Sequence, residues 1–443
     1  MAATLARGLL KGDGPDNGKE SPRANRIAGW VLIAGGFDSN AAAVTATAEL
    51  YDPDRRQFYP TGEMTTARVN HTATLLKSGK VLITGGANNN DPLRAGGILN
   101  TAELYDPATG KFTPTGNMNI ERVNHAAALL PDGRVLIIGG VANNGEAVAF
   151  AELYNPDAGT FAKVARLTDA RVSPTTTVME NGEVLVAGGE VLLTRGPDND
   201  IANLVHDRLN TAEIYSPKVA AFNCVGGVGF LGEFCNQSMA IRRISHTSTL
   251  LMNGRVLIAG GDGNCLTYTG SAELYDPKLG AFIAASDLIA DRQQHTATLL
   301  NDGEVLLVGG LGACKTAPPV LQAEVYEPEQ NVLARMIAEG FPPATVPRLS
   351  GGVFSGTGTI TEPRALHTAV LLPTGPDAGS VLVAGGSISG NATSELYVPV
   401  NGDFECVGGI SATPPVCNAT MIEARQGHTA TVLEARSSGI QDH

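Results

Sequence analysis

Seven arginines recur at one position of a repeating pattern: Arg68, Arg122, Arg171, Arg243, Arg292, Arg364 and Arg425. Six are followed at the third position by a histidine, at His71, His125, His246, His295, His367 and His428, and Pro174 stands in the remaining copy. A glutamate recurs as regularly, at Glu49, Glu103, Glu152, Glu213, Glu273, Glu324 and Glu395. Regularly spaced imidazoles are the groups for a ring of bases or of metal ligands. Symmetry argues against that use. Chemistry at one centre needs asymmetry, whereas a feature present in every copy serves every copy. In a strand, each Glu and the Tyr two residues on share a face. That face meets another copy, so the carboxylate needs a buried partner, and the repeated Arg is the candidate. Arg, Glu and His are therefore expected to form a structural ring.

The cysteines break the symmetry. Phe222-Asn-Cys224-Val-Gly-Gly and Cys235-Asn closely match Phe404-Glu-Cys406-Val-Gly-Gly and Cys417-Asn. Each pair encloses a loop of the same length, which predicts the bridges Cys224–Cys235 and Cys406–Cys417. Cys265 and Cys314 occupy matching loops of adjacent copies and form the candidate third bridge. An even count with every cysteine in a loop fits an oxidising compartment, extracellular or periplasmic. The rival reading, a metal site, lacks C-x-x-C spacing. Residues 1–20 make a poor secretion signal, because their apolar stretch is short and interrupted by Arg7.

These groups are positioned by a repeat. Ala-Glu-Leu-Tyr-Asp-Pro occurs seven times, in full or slightly altered, around Tyr51, Tyr105, Tyr154, Tyr215, Tyr275, Tyr326 and Tyr397. An apolar run ending in Gly-Gly precedes each, at Gly36, Gly86, Gly140, Gly189, Gly261, Gly310 and Gly386. Seven residues after each Tyr stands Phe58, Phe112, Phe161, Phe222, Phe282, Leu333 or Phe404. A fixed-order repeat of roughly fifty residues built of short apolar runs means β-propeller blades. Residues 68–118 show one unit: four short runs separated by Gly, Pro, Asn and Asp, hence four antiparallel strands. Side-chain size rises from Thr and Ala in the first run to Phe and Met in the fourth. Blades crowd at the axis and splay at the rim, so this gradient orders the strands from the axis outward.

The units resemble the Kelch repeat in its bacterial form, over about residues 30–433. The resemblance implies an all-β, seven-bladed Kelch-type β-propeller with four antiparallel strands per blade. The first unit lacks its opening strand: Trp30 and Val31 already begin the second strand. The missing run lies at the other end, Arg425-Gln-Gly-His428-Thr-Ala-Thr-Val-Leu433. The C-terminal strand is thus expected to complete the first blade, leaving no open edge. Residues 1–29 and 434–443 are read as tails.

Two sets of joints alternate in such a fold. The first set is short, as in Lys77-Ser-Gly and Pro131-Asp-Gly, with 373–380 a mild exception. The second set carries the insertions 87–99, 190–210, 223–238, 311–321, 334–363 and 405–420. Function concentrates on variable loops held by a rigid scaffold. The leading expectation is an extracellular, non-catalytic binding or scaffold module that engages a protein or glycan through this face, or a structural subunit of a surface assembly. The alternative is a galactose oxidase-like copper enzyme, whose central domain is a Kelch propeller. Such enzymes need a Tyr–Cys crosslink, further Tyr and His ligands and an additional domain. Six paired cysteines leave none spare, and only Tyr59 and Tyr268 lie outside the repeat. No cofactor is expected on this reading. A net charge of −13 without a basic run excludes nucleic acid as a partner, and no window reaches the apolar length of a membrane span. Asn236-Gln-Ser, Asn391-Ala-Thr and Asn418-Ala-Thr read as glycosylation sequons. Asp198, Asp200 and Asp207 are oxygen ligands without the spacing of a calcium loop.

Overall fold

A computed structural model describes residues 27–89, 97–194, 205–228, 235–262, 270–312, 318–339, 351–411, 416–418 and 420–434. Within them the chain is all-β apart from one helix, Glu329–Ala338. It forms seven four-stranded antiparallel sheets among the described residues. The first sheet orders Thr429–Val432, Val31–Ala34, Ala48–Asp52 and Gln57–Pro60. The second runs from Thr72–Leu75 to Lys111–Pro114, and the third from Ala126–Leu129 to Thr160–Arg166. The fourth begins at Thr175–Val178, the fifth at Thr247–Leu250, the sixth at Thr296–Leu299 and the seventh at Thr368–Leu371. Each first strand touches that of the next sheet, and Thr429–Val432 touches both Thr368–Leu371 and Thr72–Leu75. This is consistent with a β-propeller.

The second strand of every sheet is buried along its whole length, as in Val81–Thr84 and Val184–Ala187. Apolar residues on both faces allow this, because a neighbouring sheet covers each face. Leu136 and Ile138 of the third sheet, for example, pack in one cluster with Val184, Val186 and Tyr215 of the fourth. Each Tyr also meets the aromatic of its own fourth strand, with ring centroids 4.8–5.2 Å apart.

The Gly-Gly pair ends each second strand for a steric reason. Gly35 and Gly36 hold φ values of 62° and 106°, which L side chains rarely adopt. A Cβ on Gly35 would come within 2.5 Å of the Arg68 carbonyl oxygen of the next unit. That close approach lets Gly36 N–H donate to the same carbonyl at 2.9 Å.

The sixth sheet departs from the sequence reading. Its fourth strand is Val353–Thr359, and the aromatic facing Tyr326 is Phe354, not Leu333. Leu333 lies in the helix, 39% exposed. The insertion therefore sits between the third and fourth strands, on the face of the short turns, rather than in the 334–363 connection. Glu329 in the first helical turn and Arg335 in the last suit the helix dipole. The helix lies across neighbouring turns: Asn253 Nδ2 donates to Gln330 Oε1 at 2.8 Å, and Asn331 Nδ2 to the Asp302 carbonyl at 3.0 Å.

Candidate functional site

Every repeated Arg is buried against the repeated Glu of its own sheet. The N–O separations are 2.8 Å for Arg68–Glu103, 2.8 Å for Arg122–Glu152, 3.2 Å for Arg171–Glu213 and 2.9 Å for Arg243–Glu273. They are 2.5 Å for Arg292–Glu324, 3.0 Å for Arg364–Glu395 and 3.0 Å for Arg425–Glu49. Most of the remaining groups are paired, but Nε of Arg68, Arg122, Arg243 and Arg292 is buried without a partner. Arg68 Nη1 also donates to the Gly85 carbonyl at 2.8 Å, and Glu103 accepts the backbone N–H groups of Thr65 and Thr66, at 2.7 and 3.3 Å. The carboxylate thereby ties the connection leaving one sheet to the core of the next. Burial lowers the pKa of Arg68, Arg122, Arg243 and Arg292.

The histidines form an inner belt. Nε2 of each shares a hydrogen bond with the first Thr hydroxyl of the preceding sheet. The pairs are His71 with Thr429 at 3.1 Å, His125 with Thr72 at 3.1 Å and His246 with Thr175 at 2.9 Å. His295 meets Thr247 at 3.0 Å, His367 meets Thr296 at 2.9 Å and His428 meets Thr368 at 3.0 Å. Burial, reinforced by the neighbouring arginine, holds His125, His246 and His428 down to about 3 and the other three well below the usual imidazole value. Neutral imidazoles, each bonded to a hydroxyl through Nε2 while Nδ1 stays buried without a partner, link the first strands of successive sheets. The residue before each His or Pro174 has a left-handed backbone, from Asn70 at φ 54° to Gly427 at 63°. The sequence reading did not find this feature, because the seven side chains there share no common type.

Cys224–Cys235 and Cys406–Cys417 are bridged, each with Cα atoms 5.3 Å apart. Cys265 and Cys314 lie outside the described residues. In the bridged sheets the first Cys is the cross-strand partner of the repeated Glu: Glu213 faces Cys224 and Glu395 faces Cys406. Among the described residues, groups of His, Cys, Asp or Glu with atoms close enough to share an ion comprise only these two Glu–Cys–Cys sets, whose sulfurs are bonded to each other. Asn236 and Asn418, read as sequons, donate through Nδ2 to the Gly226 and Gly408 carbonyls inside their loops, each at 2.9 Å. Asp207 is paired with Arg242; Asp198 and Asp200 lie outside the described residues.

A copper centre of Tyr, His and Cys donors does not fit the described residues. The seven repeated tyrosines are packed on phenylalanine or its equivalent in the outer half of each sheet. Tyr59 stacks on Trp30 with centroids 5.8 Å apart. The six repeated histidines are committed to threonine hydroxyls at the inner strands, and four cysteines to disulfides.

No family model matches the chain. A stretch of 121 residues, 26% of this chain, is 31% identical to galactose oxidase of Gibberella zeae, of which it covers 18%. The chain thus spans under a fifth of the curated relatives it matches. Among solved structures it is similar to a novel fungal alcohol oxidase of the AA5 family in complex with copper. That likeness has a TM-score of 0.55 at 18% identity and covers 82% of this chain and 69% of the other. It shows a galactose oxidase-like propeller fold. Both neighbours are oxidases, and this overturns the leading expectation of a non-catalytic module binding protein or glycan. Ring symmetry argued for a scaffold, but a symmetric scaffold does not exclude chemistry carried by loops. Two disulfides indicate an oxidising, extracellular environment, and no helix among the described residues is long and apolar enough to cross a membrane.

Proposed function

We propose that this chain is the propeller of a galactose oxidase-like copper enzyme. The observation that carries this reading is the 31% identity to galactose oxidase over 121 residues, on a chain with the fold of a copper-bound alcohol oxidase. The propeller comprises residues 30–433 in seven blades, closed by the C-terminal strand and flanked by tails at 1–29 and 434–443. The register Val31↔Val432 to Ala34↔Thr429 supports the closure. The protein is secreted, a reading supported by its two disulfides.

The scaffold's own side chains narrow where copper donors can come from. Of nine tyrosines and eight histidines, the repeat and the Trp30 stack consume all but Tyr268, His206 and His443. Cys265 and Cys314 are the cysteines outside the two bridges of the described residues. Tyr268 and Cys265 share the connection between the second and third strands of the fifth sheet, and His206 and Cys314 belong to the equivalent connections of the fourth and sixth. By sequence, the candidate donors thus fall in three consecutive long connections. The test is to load the full chain with Cu²⁺, remove the excess, measure bound copper by atomic emission and follow peroxide release with galactose and simple primary alcohols. One copper per chain is expected, with binding and peroxide release both lost in Tyr268→Phe and in His206→Ala. Absence of stoichiometric copper, or copper indifferent to both substitutions, overturns the proposal.

A further inference from the structure

The belt of His–Thr bonds has one gap, and both of its ends are missing there. Where the fourth sheet should present a histidine it has Pro174, and where the third should present the partner threonine it has Ala126. The Pro174 ring takes the imidazole's place beside Gly139, where a Cβ would lie 3.1 Å from its Cγ, so the space is filled but the link is absent. The same interface also lacks a link that three other interfaces carry. Tyr105, Tyr154 and Tyr397 share hydroxyl hydrogen bonds with Thr61, Thr115 and Thr357 of the preceding sheet, at 2.8, 2.9 and 2.9 Å. The Tyr215 hydroxyl, aimed from the fourth sheet toward the third, is buried without a partner.

The first and seventh sheets differ in kind. Tyr51 also lacks a partner there, but His428 bonds Thr368, and Arg56 of the first sheet pairs with Asp377 of the seventh. Between the third and fourth sheets, among the described residues, what remains is backbone and apolar contact plus the links from Thr168 and Asp169 of the connection to Glu213 and Thr211. Gly140 N–H donates to the Arg171 carbonyl at 2.8 Å and Ser173 N–H to the Asn124 carbonyl at 2.9 Å. The cluster of Leu136, Ile138, Val184 and Val186 fills the rest.

We propose that the interface between the third and fourth sheets is a built-in seam, the place where the ring parts first. The inference rests on the ring reading but not on copper. A ring whose sheets all share apolar contacts opens where the directional links added to them are fewest. The chain ends, where a circular fold would ordinarily be weakest, are instead reinforced.

One slot in the third strands reports each interface in turn. Ala102 packs between the second and third sheets, Ala151 between the third and fourth, Ala212 between the fourth and fifth and Ala272 between the fifth and sixth, all buried. Ala48 reports the interface between the first and second sheets. Each is replaced singly by Cys in the full chain, and native-state labelling by a small thiol reagent is followed by peptide mass spectrometry. Ala151→Cys should label first, roughly five- to thirtyfold faster than the others, the span one or two missing links produce in an opening equilibrium. Adding Ala126→Thr and Pro174→His should slow Ala151→Cys to the common rate. If that triple variant does not fold, the five single variants still decide. Equal rates at all five sites, earliest labelling at another interface, or a rate unchanged by the restored pair overturns the seam.

Discussion

Arg425 donates through Nε to the carboxylate of Glu49 at 3.0 Å, a contact between residues 376 apart in sequence. The same guanidinium reaches the carbonyls of Gly35 and Thr47, at 2.9 and 3.0 Å. With the Thr47 hydroxyl, which accepts from Nη2 at 2.6 Å, one side chain late in the sequence thus satisfies four acceptors early in it. Thr429–Val432 pairs with Val31–Ala34 directly alongside.

Arg425→Ala should therefore destabilise the whole protein. It strands Glu49 in a buried site, and removing one partner of a buried pair costs about 3–5 kcal/mol. Trp30 is the only tryptophan, and it stacks on Tyr59 within the first sheet. Its emission reports this region without labelling. A urea midpoint well below wild type is expected, and deletion of 424–443 should lower the melting temperature further. An unchanged midpoint for Arg425→Ala would show that the pair does not hold the ends together.

The belt histidines make stability fall with acid. Their folded-state pKa lies far below the unfolded value of about 6.5, at about 3 for His125, His246 and His428. The unfolded chain therefore binds more protons between these limits. Stability is fully present above about pH 6.5 and is lost as pH falls toward 3, by up to about 1.4 kcal/mol per pH unit for each histidine. Denaturant titrations from pH 7.5 to 4.5 should show this slope. His246→Gln should reduce it by about one proton, and a slope unaltered by that change would mean His246 is not buried neutral.

The architecture was legible because its determinants are local and repeated. Gly35-Gly36 marks a backbone turn that side chains would block, Tyr51 and Phe58 mark the outer half of a sheet, and both signals recur at every unit. The Arg–Glu partnership could be argued from burial alone. Function was not legible, since the repeat consumes the reactive side chains and the residues left over lie in loops without a pattern. Nor did single-residue periodicity show that Ala126 and Pro174 are two halves of one missing bond. They lie in different units, and only the geometry of the first strands brings their slots together.

The two small disulfide loops should behave alike. Each bridge spans 11 residues, and closing a loop of that size contributes about 2–4 kcal/mol. Non-reducing peptide mapping should return Cys224–Cys235 and Cys406–Cys417 and will decide whether Cys265 pairs with Cys314. Paired Ser substitutions at either loop should lower the denaturation midpoint by similar amounts. A large loss at one loop and none at the other would mean that one bridge is not formed in the native protein.

The sixth sheet gives the sharpest contrast between spacing and packing. Leu333 stands seven residues after Tyr326, where the other units carry their outer aromatic, yet it lies on the helix and is 39% exposed. Phe354, twenty-one residues further on, supplies the ring 5.0 Å from Tyr326 and packs on the cluster holding Leu257 and Leu274 of the fifth sheet. Strand register explains why the later residue wins. Tyr326 is the cross-strand partner of Phe354, so their rings meet on one face of the sheet. Truncating the ring leaves a void between two sheets, and Phe354→Ala should cost about 3 kcal/mol. Leu333→Ala removes an exposed side chain at a position where Ala is the better helix former, and should stay within about 0.5 kcal/mol of wild type. Equilibrium unfolding of the two variants separates the possibilities. If Leu333→Ala proved the more damaging, the fourth strand would have to begin at the spacing of the other units, with the helix displaced from the turns it covers.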